Sequence, residues 1–428
     1  MSAPRSRRLA LPPRALVSRV LEQPKLIQAV QSLPPATLGS LVRHVGLEDA
    51  GELIALASPE QLVRVLDDDV WAAAGSGHDE KFDAERFGLW LEVLREAGEE
   101  VAAEKLLTLP EDLVTLGLHE LVLVVDLDEL GVEMAEIDEA DADLIEKALD
   151  ASLCEEIDQY RVIARNAQSW DAVIGVLLTL DRDHHSFVAR LLERLAHASS
   201  EVIEDMGGLY EALTSGEMLG EDAAADRESR RAAEGFLASS QAGAFLKLAR
   251  TRSIAEALKD EGRDPITKAY FRELDRERSV APLDPGAAPL LKLLADAGVE
   301  VPAAPMLSAD KGTRGEEPAF QRAVRELEPE LHAERMDELS FLVNVLLSDA
   351  RARGRTLRPI DAAEAVTALC NLGLEAAGGE GEVTRVGAER LFRIGLRALE
   401  VEIPPKKSAA FRAAEAAWTT VKAGNISR

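Results

Sequence analysis

Between Pro13 and Leu113 one short phrase occurs five times, and no other feature restricts the fold of this chain as much. It reads Pro13-Arg14-Ala15-Leu16, Pro35-Ala36-Thr37-Leu38, Pro59-Glu60-Gln61-Leu62, Ala84-Glu85-Arg86-Phe87 and Pro110-Glu111-Asp112-Leu113, with starts 22 to 26 residues apart. Four of the five begin with proline, which a helix accepts at its first position, where the missing N–H would have no partner anyway. Ser58 and Asp83 stand just ahead of their phrases, where a side-chain oxygen can accept from the free N–H groups of a first turn. A period of about 25 residues holds two short helices. The spacing therefore predicts an N-terminal α-solenoid of stacked helical hairpins over residues 1–118. Leu26, Ile27, Val30 and Leu33 supply one apolar stripe. Leu53, Ile54 and Leu56 with Leu62, Val63 and Leu66 supply the next. Phe87, Trp90, Leu91 and Leu94 make a heavier face, with Trp90 as a packing anchor.

Beyond this region the rhythm breaks. Leu121-Val122-Leu123-Val124-Val125 is rich in β-branched residues and short enough for a strand, and Tyr160-Arg161-Val162-Ile163 can pair with it. Residues 119–165 are thus read as an acidic insert with room for a β-hairpin. A central helical unit follows over 166–280. Trp170, Val173, Ile174, Leu177 and Leu178 lie on one helical face there, and Asp181-Arg182-Asp183 mark a turn. Residues 281–318 collect Pro282, Pro285, Pro289, Pro302 and Pro305 with Gly286 and Gly312, and read as a linker around one short helix at Leu290 to Ala297. A C-terminal helical unit completes the chain over 319–428, with fraying expected at its end. The predicted fold class is mainly α, with at most a small β-hairpin.

Charge and cysteine content narrow the function. The formal net charge is −28, and a general affinity for nucleic acid or anionic lipid needs a basic footprint instead. Cys154 and Cys370 are too few for a disulfide framework or a four-thiolate zinc site. No apolar run reaches the ~18 residues that span a bilayer, and Pro12 and Pro13 interrupt any leader-like stretch after the N-terminal arginines. The expectation is a cytoplasmic protein without a membrane span.

The chain has no zinc-protease helix, phosphate-cradling loop, dinucleotide fingerprint or nucleophile turn. No catalytic residue and no cofactor is assigned, and the reading leans against an enzyme. Four groups of residues can still carry a function. Asp67-Asp68-Asp69 offer oxygens to a hard cation, but successive helical residues point apart, and a solvated helix end explains them more simply. Asp181, Asp183, His184 and His185 are metal-capable, yet tight sites draw ligands from separate elements, so a polar turn is the plainer reading. Arg227, Arg230 and Arg231 share a helical face suited to an anion or a partner carboxylate, against internal pairing. Arg351, Arg353 and Arg355 form a second such island, continued by Arg358. Asn344 and Asn371 interrupt apolar helical runs as candidate buried amides that set helix register.

Four segments carry a resemblance. They are Leu62 to Trp71 with Phe82 to Leu91, Arg227 to Gly235 leading into Ala244-Phe245-Leu246, Glu338 to Leu346, and Cys370-Asn371-Leu372-Gly373-Leu374-Glu375. Together they resemble an uncharacterised bacterial family filed as a domain of unknown function, over most of the chain. That resemblance implies no activity, cofactor or catalytic residue. Residues 26 to 116 are also similar in rhythm to the cytoplasmic N-terminal superhelix of MgtE-type magnesium transporters. Because solenoids present long surfaces, the expected function is a protein-interaction scaffold or regulatory adaptor with a protein partner. The alternative is a regulator responding to a divalent ion or a small ligand.

Overall fold

The computed structural model describes residues 12–73, 80–136, 153–199, 215–259, 262–274, 287–299, 318–352, 355–402, 408–423 and 425–426. The chain is mainly α-helical with small β elements. It divides into two units. The first comprises residues 1–71, 82–227 and 281–301, the second residues 72–81, 228–280 and 302–428.

In the first unit the helices are α1 (Pro13–Leu21), α2 (Leu26–Gln31), α3 (Pro35–Val45), α4 (Gly51–Ala55), α5 (Pro59–Asp69), α6 (Ala84–Ala97), α7 (Glu99–Leu107) and α8 (Glu111–Leu121). The recurring phrases open helices: Pro13, Pro35, Pro59 and Ala84 are the first residues of α1, α3, α5 and α6, and Pro110 directly precedes α8. The fourth residue of every phrase, Leu16, Leu38, Leu62, Phe87 and Leu113, is buried. Each such side chain contributes roughly 1.5–3 kcal/mol by leaving water. The two N-caps form as the sequence indicates. Gln61 N–H donates to Ser58 Oγ at 3.3 Å within a reciprocal capping box, and Arg86 N–H donates to Asp83 Oδ1 at 2.9 Å. Gln61 does more than cap, because its Nε2 donates to the carbonyls of Val30 and Leu33 at 2.9 and 2.7 Å, tying α5 to the C-terminal end of α2. In sequence steps, α1 packs on α3, α3 on α5, α4 on α6 and α6 on α8.

Strands β1 (Trp71–Ala73) and β2 (Glu80–Phe82) pair after α5, where the rings of Trp71 and Phe82 meet edge-on at 5.5 Å. The expected pairing beyond α8 is present. Strand β3 (Val122–Asp126) runs on through α9 (Leu127–Glu136), while β4 (Cys154–Ile157) and β5 (Tyr160–Ala164) complete a sheet of order β3-β5-β4. Its register places Val122 against Ala164 and Asp126 against Tyr160. The strand β4 was not foreseen; only Ile157 of its four residues is buried, so it carries no apolar alternation. Most of the acidic stretch of the insert, residues 137–152, lies outside the described residues. Helix α10 (Trp170–Ser199) packs on α6, α7, α8 and β3. It kinks at His184 (φ −140°, ψ 42°), just past the expected turn. Leu178 is exposed while Leu177 and Leu180 are buried, which narrows the predicted face.

Helix α11 (Ser215–Ala233) crosses from the first unit to the second between Arg227 and Glu228. The second unit continues through α12 (Ser239–Thr251), α13 (Ile254–Lys259) and α14 (Pro265–Leu274). Helix α15 (Ala288–Ala297) returns to the first unit, and Leu290, Leu294 and Val299 are buried in that unit's core. The short helix read inside the proline-rich segment is therefore real, and it is packed. The remaining helices belong to the second unit: α16 (Ala319–Arg325), α17 (Pro329–Ala352), α18 (Pro359–Ala377), α19 (Ala388–Glu400) and α20 (Ala409–Ala423). Strands β6 (Arg355–Thr356) and β7 (Asn425–Ile426) pair antiparallel near its end. Frayed structure was expected there, but Phe411, Ala414, Trp418 and Val421 of α20 are buried at spacings of a helical stripe.

Candidate functional site

Helix α2 is only six residues long, and Val30 is its one fully buried residue. Lys25, at φ 55°, enters the left-handed region just before the helix. Residues 26, 30 and 33 share one face, and Val30 and Leu33 are buried with Leu26 half-buried against them. Ile27 lies a quarter-turn away and remains 57% exposed, so the predicted stripe of four is a stripe of three with one residue facing out. Around Ile27 an open groove is lined by Lys25, Leu26, Gln28, Gln31, Ser32 and Leu56. Gln31 Nε2 donates to the Leu56 carbonyl at 3.3 Å, and Gln61 holds the Val30 and Leu33 carbonyls from beneath. The Gln31–Leu56 bond thus joins two of the residues that line the groove, and Ile27 among them faces solvent.

The arginines singled out in the sequence do not gather at one point. Arg227 is buried, donates from Nε to the Asp67 carbonyl at 2.9 Å, and stacks 5.1 Å over the Trp71 ring. Arg231, also buried, pairs with Glu80 at 3.4 Å and lies over Phe236. Arg230 is half-buried between them. Arg351 stands in the last turn of α17 and Arg355 in β6; Arg353 and the side chains of these two lie outside the described residues. Arg358 makes a two-point pair with Asp361. The three consecutive acids also diverge: Asp68 pairs with Arg64 at 3.0 Å, whereas Asp69 accepts from Arg86 and Trp90, both at 2.7 Å.

Asn344 and Asn371 are half-buried, and each bonds to the backbone of another element. Asn344 Nδ2 donates to the Gly235 carbonyl at 2.7 Å, and Asn371 Oδ1 accepts from Phe320 N–H at 3.1 Å.

The second unit contains an ionic group that sequence reasoning missed. Glu338, 1% exposed, accepts from Arg263 at 3.0 Å, from Arg335 at 3.1 Å and from the Ala388 N–H at 2.7 Å. Burial and the neighbouring Glu389 carboxylate push its pKa up to about 7 against the pull of Arg335. Nearby, Asp264 caps the first turn of α14 and pairs with Arg393, whose guanidinium lies over Phe245. The one local signal in the sequence was the i,i+3 pair Arg335–Glu338; the other members come from elements fifty or more residues away. Cys370 sits fully buried beside this group with its thiol pKa raised well above normal by desolvation, which disfavours the thiolate that a nucleophile needs.

Residues 2–207 match the model of DUF6178, a family of unknown function. The matched span covers the five phrases, the three-stranded sheet and α10. Of the segments that carried the family resemblance, those around Arg227, Glu338 and Cys370 lie beyond it. No curated protein and no solved structure matches the chain. The likeness to the magnesium-transporter superhelix accordingly rests on Pro-x-x-Leu spacing alone.

Proposed function

We propose that this protein, whose residues 2–207 match the DUF6178 model, is an interaction scaffold or adaptor whose N-terminal helices act as a solenoid and dock a protein partner at the α2 groove. The observation that carries the reading is Ile27, a large aliphatic side chain left 57% exposed at the centre of a groove whose backbone is held by Gln31 and Gln61. A single exposed apolar residue is ordinary on a protein surface, but one that shares an open groove with Leu26 and Leu56 offers an anchor point. Covering the exposed part of this isoleucine contributes roughly 1–2 kcal/mol, about a tenfold change in affinity. A content of only two cysteines, Cys154 and Cys370, agrees with a reducing compartment and so with a cytoplasmic adaptor.

The test is affinity capture of tagged full-length protein beside its Ile27→Glu variant, with thermal melts of both. A stoichiometric partner lost from the variant, at unchanged melting temperature, supports the reading. A partner retained equally by both would move the docking surface elsewhere, and absence of any partner would count against a scaffold altogether.

A further inference from the structure

Two carboxylates and an imidazole meet on the first unit from two separate elements. Asp181 and His185 are four residues apart on α10, so they occupy one face on either side of the kink at His184. Asp158 comes from the two-residue turn between β4 and β5, where its φ of 52° is one that aspartate tolerates better than most residues. His185 Nδ1 lies 2.8 Å from Asp181 Oδ1 and 3.7 Å from Asp158 Oδ2, and one ligand atom from each of the three residues falls within 4.8 Å of the others.

We propose that Asp158, Asp181 and His185 form a binding site for a divalent transition metal of the zinc type. Three facts support it. Donor separations at a four-coordinate zinc with bonds of about 2.0–2.1 Å are about 3.3 Å; the two His185 spacings, 2.8 and 3.7 Å, lie on either side of that value, and all three ligand atoms fall within 4.8 Å of one another. The ligands come from a helix and a hairpin turn instead of one run of chain, which fixes their geometry before the ion arrives. The charge is also unbalanced. Among the described residues no Arg or Lys reaches Asp158 or Asp181, and a single imidazole serves both carboxylates. An i,i+4 hydrogen bond accounts for Asp181 and His185 alone; it does not account for Asp158 facing the same nitrogen. The imidazole sets the metal class, since it suits zinc, cobalt or nickel, whereas magnesium and calcium prefer oxygen ligands throughout. The three residues are partly exposed, which leaves the remaining coordination positions to water.

The proposal is independent of the docking surface and is tested on tag-free, full-length protein stripped of metal. Titration with zinc chloride, followed calorimetrically, should show one ion per chain. Cobalt chloride should give a visible ligand-field band that zinc abolishes. Losing even an outer-shell partner of a metal site weakens binding about 10–100-fold, so Asp158→Asn and His185→Gln should each weaken zinc at least that much. Asp183→Asn is the control: its carboxylate pairs with Arg182 instead, and the affinity should not change. Three results would overturn the assignment: no zinc binding below millimolar concentration, zinc binding undiminished in Asp158→Asn and His185→Gln, or magnesium bound as tightly as zinc.

Discussion

Glu400 shows how much one side chain can organise at the end of a helix. Its carboxylate accepts from Arg250 and Lys422, both at 2.6 Å, and from Trp418 Nε1 at 2.8 Å, so α12, α19 and α20 meet on two oxygens. Burial alone would raise its pKa, yet the donors from Lys422, Arg250 and Trp418 overcome that and hold it at about 2. The folded state therefore binds this proton less readily than the unfolded chain, whose carboxyl titrates near 4.5. Stability from Glu400 is fully present above pH 4.5 and lost as the pH falls towards 2. Glu400→Ala should cost about 2–3 kcal/mol in urea unfolding at pH 6, with the gap to the parent closing as the pH approaches 2. A gap that stays constant with pH would show that the loss comes from packing. Glu338 works in the opposite sense. Its folded pKa of about 7 exceeds the unfolded value of 4.5, so its contribution declines as the pH rises between those limits.

Between elements, α18 and α19 of the second unit cross with backbone against backbone. A Cβ placed on Gly373 would collide with the Leu391 carbonyl, and one on Gly395 with the Leu369 carbonyl. Backbone meets backbone there, and neither helix can yield without losing its partner. Glycine inside a helix costs about 0.8–1.0 kcal/mol relative to alanine, a cost accepted here for the close crossing. Gly373→Ala should accordingly destabilise the protein by about 1–3 kcal/mol despite its better helix propensity. Gly243 in α12 is the counter-case, because nothing lies within 4 Å of the Cβ it lacks. Gly243→Ala should stabilise by about 0.5–1 kcal/mol. Equal shifts in the midpoints of the two variants would contradict this account of the crossing.

Across the whole molecule, the chain passes repeatedly between its two units, and each unit has its own apolar core. The segment 281–301 belongs to the first unit although the rest of that unit ends at residue 227. Its hold is apolar: Leu290 and Leu294 are at most 1% exposed in the first core. Leu294→Asp places a carboxylate where it cannot be solvated, at a cost of several kcal/mol. Hydrogen exchange should then accelerate in α1 to α8 while the amides of α18 and α19 keep their protection. Acceleration confined to residues 287–299 would mean that α15 is an ornament on that core.

Local rules made much of this architecture legible in the sequence. A proline that starts a helix, a serine that caps it and a leucine at the fourth position depend only on neighbours within a turn, and all five phrases open helices with a buried fourth residue. The pairing of Val122–Val125 with Tyr160–Ile163 was readable for the same reason, since β-branched residues announce strands locally. The sites were less accessible. Asp181 and His185 stood out as metal-capable, but their third partner, Asp158, lies in a turn upstream and is brought to them only by the packing of β3 and β5 on α10. Glu338 likewise owes its environment to Arg263 and Ala388, far from it in sequence, and Ile27 faces solvent because no other element among the described residues packs over its side of α2. Helix beginnings and apolar stripes are set by interactions a few residues long, and so the sequence by itself determined them. Convergence of polar groups, burial of charge and exposure of an apolar residue depend on distances closed by long-range packing. Those only the tertiary structure decided.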